Sequence, residues 1–71
     1  MQRVKIDPQM DAVVVEWTNT HHKLPEGEAL EYTHDVWRML LTNNVPSALL
    51  FPLRGMFIYN YPELQEELTW V

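Results

Sequence analysis

The chain has no cysteine and only two glycines. The first absence excludes a disulfide framework and a thiolate metal site. Small secreted domains usually depend on such staples, so a cytoplasmic, intracellular setting is expected. The second leaves no material for a phosphate-cradling loop. GxSxG, HExxH and P-loop patterns are missing as well. No catalytic residue and no cofactor are therefore expected, and the chain reads as a non-enzyme. Basic residues are also scarce. Arg3, Lys5, Lys23, Arg38 and Arg54 are spread along the sequence against ten acids, for a formal net charge of −5. Such a chain is repelled by nucleic acid and by anionic membranes, so neither is an expected partner. The longest apolar runs are about four residues, far below the roughly twenty needed to span a bilayer. Met1 is followed by Gln-Arg-Val-Lys, which is no signal core.

What remains is one small domain covering 1–71, with 46% hydrophobic residues and three tryptophans. That content is too rich for a disordered chain. A stability of only about 4–10 kcal/mol is expected at this length, and oligomerisation or a partner would supplement it.

The clearest element is Glu28 to Asn43. At 100° per residue, Ala29, Leu30, Thr33, Val36, Trp37, Leu40 and Leu41 share one arc, with Glu28, Glu31, Asp35, Arg38 and Thr42 opposite. Only a helix lying on a core has this period. Asn43 or Asn44 can end it in the left-handed conformation, and Pro46 prevents continuation. Elsewhere the pattern reads as strands. Arg3 to Ile6 alternates, Asp7 to Asp11 resembles a proline turn, and Ala12 to Thr18 (AVVVEWT) carries three consecutive valines. Asn19 to Gly27 is a polar connection and a candidate mobile loop. Val45 to Pro52 fits either a buried strand or one helical turn. Met56 to Tyr61 reads as a strand with Phe57, Tyr59 and Tyr61 on one face. Pro62 opens a short helix with Leu64, Leu68 and Val71 inward and Glu63, Glu66 and Glu67 outward. The expected fold is α+β, in the order ββαββα: a small, mostly antiparallel sheet of about four strands carrying one long amphipathic helix and a short C-terminal one.

Few constellations carry chemistry. His21 and His22 are adjacent and His34 lies on the helix flank. Zinc needs three or four convergent ligands, with Glu31 or Asp35 completing the set, so solvated histidines and no metal are expected. Glu31 and Asp35 sit on a polar helix face, where a charged stripe explains them better than acid–base catalysis. Phe57, Tyr59 and Tyr61 could stack bases, but such platforms need positive charge. One helix covers only one sheet face, and both faces of these strands carry apolar residues. Something is therefore expected to cover the other face: the C-terminal helix with Leu64, Leu68 and Trp70, another copy of the chain, or a partner.

The functional expectation is a non-enzymatic, acidic protein-binding module that occupies a surface of a larger protein as a small regulator or inhibitor. Small acidic domains of this kind are common among viral and mobile-element regulators, an analogy of composition alone. Its candidate contacts are Tyr59, Tyr61 and Trp70, rimmed by Glu28, Glu31, Asp35, Glu63, Glu66 and Glu67. The main alternative is a structural or self-assembling subunit, a homodimer or other homo-oligomer. A nucleic-acid mimic ranks lower because the net charge is thin.

Overall fold

The computed structural model describes residues 8–69. They form three α-helices: α1 (Pro8–Thr20), α2 (Glu26–Thr42) and α3 (Ser47–Asn60), with 3-10 turns at His21–Lys23 and Pro62–Leu64. Among the described residues there is no strand, so the fold is all-α and the expected four-stranded α+β sheet is wrong. The expected strand Arg3 to Ile6 lies outside the described residues.

The expected helix is present and slightly longer than its pattern required. α2 buries Ala29, Thr33, Val36, Trp37 and Leu40, half-buries Leu30 and Leu41, and exposes Glu28, Glu31, Asp35, Arg38 and Thr42. Glu26 and Glu28 lie in its first turn, where the helix dipole favours them. Its end is a Schellman motif. Asn44 is left-handed at φ 57°, Val45 N–H donates to the Leu40 carbonyl (3.3 Å), and Asn44 N–H donates to that of Leu41 (3.1 Å). The Asn43 side chain adds a bond to the Met39 carbonyl (2.7 Å).

The two strongest strand readings are corrected. Ala12 to Thr18 lies inside α1, and Pro8, expected in a turn, is the first residue of that helix, where its missing N–H is no loss. Valine costs only about 0.7 kcal/mol or less per residue in a helix. Seating Trp17 in the core outweighs this, since a fully buried large apolar side chain contributes roughly 1.5–3 kcal/mol. Val45 to Pro52 and Met56 to Tyr61 are not two strands; α3 takes in residues from both. It buries Leu50, Leu53 and Phe57, spaced i, i+3, i+7. Asn19 to Gly27 is not a single loop: α1 runs to Thr20, a 3-10 turn follows, and α2 begins at Glu26. After Pro62 the chain makes a single 3-10 turn and further turns rather than a full helix. It still points inward and outward as the spacing indicates, burying Leu64 and Leu68 and exposing Glu63, Glu66 and Glu67.

One core joins all the segments: Trp17 from α1, Val36, Trp37 and Leu40 from α2, Leu50, Leu53 and Phe57 from α3, and Leu64 and Leu68 after it. Its polar atoms are paired. The Trp17 indole N–H donates to Thr33 Oγ1 (2.8 Å), deep in the core, and the Trp37 indole donates to the Thr69 carbonyl (3.1 Å). Arg54 of α3 holds the terminal turns through the carbonyls of Leu68 and Gln65 (2.6 and 2.9 Å). No described helix is long and apolar enough to cross a membrane.

Candidate interaction surfaces

Helical geometry redistributes the expected contact residues. Consecutive helical positions two apart point roughly 200° away from each other. Phe57 is therefore fully buried while Tyr59 is 87% exposed, and the expected shared face of Phe57, Tyr59 and Tyr61 does not exist. Trp70 lies outside the described residues.

Tyr61 belongs to a different arrangement, the junction between the ends of α1 and α3. The His21 ring stacks on Trp17 (centroids 3.9 Å, planes 8° apart), and Trp17 in turn packs against Phe57 and edge-on to Tyr61. The Tyr61 hydroxyl lies 2.7 Å from His21 Nδ1. Burial, followed by the charges of Glu26 and Glu63, raises the Tyr61 phenol above its ordinary 10.0, so it stays protonated near neutral pH. With the hydroxyl donating, the neutral imidazole accepts at Nδ1 and carries its proton on Nε2. Burial first, and the neighbouring His22 second, lower His21 below its ordinary 6.5. The junction is thus built around a neutral histidine.

The other histidines are separately engaged. His22 Nδ1–H donates to the Thr18 carbonyl (2.9 Å), and His34 Nδ1 accepts from the Arg38 guanidinium (3.2 Å). Among the described residues, no three His, Asp or Glu side chains are grouped to hold a metal.

The acids are brought together across elements. Glu31 of α2 joins Glu63 and Glu67 around a groove of about 290 Å³ floored by Leu30 and Leu64, with His34 on its wall. Glu28, Glu31 and Asp35 fall within about 60° on the exposed side of α2. Glu66 is exposed beside Glu67. Asp35 also lines a second, more apolar groove with Val13, Glu16, Tyr32, Val36 and Met39. Tyr59 lines neither groove.

A third surface was not identified from the sequence. On α3, Ala48, Phe51, Pro52, Gly55 and Tyr59 are all exposed. Their spacing of i, i+3, i+4, i+7 and i+11 makes one stripe about 100° wide. Phe51 is 64% exposed. The stripe was legible as a period once the segment is read as a single helix; Pro52 and Gly55 hid it by resembling strand boundaries. No known protein family, curated protein or solved structure matches the chain.

Proposed function

We propose that the protein is a non-enzymatic binding module that works inside the cell by occupying a basic surface of a larger protein, as a small regulator or inhibitor. The convergence of Glu31, Glu63 and Glu67 around Leu30 and Leu64 carries this reading. An apolar floor with a carboxylate rim suits a lysine or arginine of the partner. The side-chain stem lies on the leucines and the charged head meets the acids. Glu28, Asp35 and Glu66 extend the field around the groove and favour fast encounter with a positive surface.

The test is affinity capture from the source organism, with wild type and the E31K/E63K/E67K variant as baits. Washes at about 0.1 M and about 1 M salt shorten the screening length from about 10 Å to about 3 Å. A stoichiometric partner should be held by wild type at low salt, and lost both at high salt and by the charge-reversed variant. Equal recovery by both baits, or no partner on wild type, overturns the reading. Nucleic-acid mimicry predicts in addition that DNA competes for the captured partner.

A further inference from the structure

The turns after α3 are bonded to themselves along the backbone and to the helices through side chains. Among the described residues, the backbone hydrogen bonds of 62–69 stay within 61–69: Leu64 N–H donates to Tyr61, Gln65 to Pro62, Glu67 and Leu68 to Leu64, and Thr69 to Glu67. Side chains make the attachment. Leu64 and Leu68 lie in the common core. The Arg54 guanidinium donates from Nε to the Leu68 carbonyl (2.6 Å) and from Nη2 to the Gln65 carbonyl (2.9 Å). One side chain of α3 thus spans two carbonyls with a planar fork, which lysine cannot reproduce. The Trp37 indole of α2 donates to the Thr69 carbonyl (3.1 Å). At the other end, His21 and the Tyr61 hydroxyl, 2.7 Å apart, fix the point where the segment leaves α3. A segment that is bonded internally and attached at a few points meets the description of a separate cooperative unit.

We propose that residues 62–69 are a strap that opens as one piece while the three helices stay folded, with Arg54 as its latch. The strap carries Glu63, Leu64 and Glu67 of the acidic groove, and α2 carries Leu30 and Glu31. The groove therefore exists only while the strap is shut. Closing brings Glu63 and Glu67 up to Glu31, so like charges oppose it, and a cation held among them offsets that repulsion. Binding of a basic group and closure of the strap then favour each other reciprocally, a coupling that rests on the groove reading above. Arg54 touches no groove carboxylate in this scheme. It is a positioning residue, acting through the backbone that bears two of them.

Amide hydrogen exchange of the full chain, read residue by residue in low urea, tests this. The amides of Gln65, Glu67 and Leu68 should share one opening free energy and one weak urea dependence, both smaller than those of Trp37 and Leu40 in α2. Arg54→Met should speed the strap amides at least about tenfold, because hydrogen bonds from a charged donor are lost. Arg54→Lys, which keeps one donor group, should fall between the two. Thr33→Val breaks a bond between α1 and α2 that survives strap opening. It should speed the α2 amides and leave the strap amides unchanged. Tetralysine at about ten times its Kd should slow the strap amides about tenfold. Glu31→Gln should weaken that slowing without speeding exchange in the absence of peptide. Strap amides that T33V speeds as much as those of α2, or that R54M leaves unchanged, overturn the proposal. A strap that R54M loosens and T33V spares, but that tetralysine does not slow, upholds the strap and counts against the groove reading.

Discussion

Thr33 and Trp17 show how one hydrogen bond disciplines a small core. Thr33 is 0% exposed, and its hydroxyl is the acceptor for the indole N–H of a tryptophan that is itself 2% exposed. Valine would match the shape of threonine but leave that N–H buried without a partner. A buried unsatisfied donor costs about 1–3 kcal/mol. Thr33→Val should therefore lower the unfolding free energy read from a urea titration by that amount, while Thr33→Ser, which keeps the acceptor, should lose less. The α2 pattern placed Thr33 on the inward arc from sequence alone. Its partner is not legible there, because sixteen residues separate the pair and the AVVVEWT pattern favours a strand for Trp17.

At the scale of the element, Asn44 decides where α2 stops. A left-handed backbone costs an ordinary L-residue roughly 1–2 kcal/mol, and asparagine less because its short side chain bonds locally. Asn44→Ala should lower stability by about 1 kcal/mol in a denaturant titration, with Asn44→Gly at or above wild type, since glycine carries no such penalty. This cap was readable in advance because it depends on local backbone preference. The fate of AVVVEWT and MFIYNY was not. β-branched residues prefer strands by a few tenths of a kcal/mol each, and short apolar runs show no decisive period. α3 is apolar nearly all round, and that erases the 3.6-residue signal which made α2 plain.

Across the whole molecule, the His21–Tyr61 contact ties the end of α1 to the end of α3. Folding lowers the His21 pKa, so below 6.5 the unfolded chain binds the proton more readily than the folded one. The stability it contributes is complete above pH 6.5 and is lost as pH falls from there toward the lowered folded value. Tryptophan fluorescence should therefore report a denaturation midpoint that falls between pH 7.5 and pH 5.5, and His21→Gln should flatten that slope. The same scale sets the division of surfaces. The carboxylates gather on α2 and the C-terminal turns, and the stripe of α3 stays uncharged.

The amino-acid order by itself determined the inward and outward faces of α2, its left-handed stop, the inward leucines after Pro62, and the acidic balance. Each of these follows from residue type or from spacing within a turn or two. Only the tertiary structure decided that the valine and aromatic segments coil into helices. It also decided that Glu31 meets Glu63 and Glu67, and that Tyr59 and Phe57 part company. The physical reason is one of magnitudes. Backbone preferences of tenths of a kcal/mol per residue are overruled when Trp17, Phe57, Leu64 and Leu68 share one core, where each buried side chain contributes roughly 1.5–3 kcal/mol.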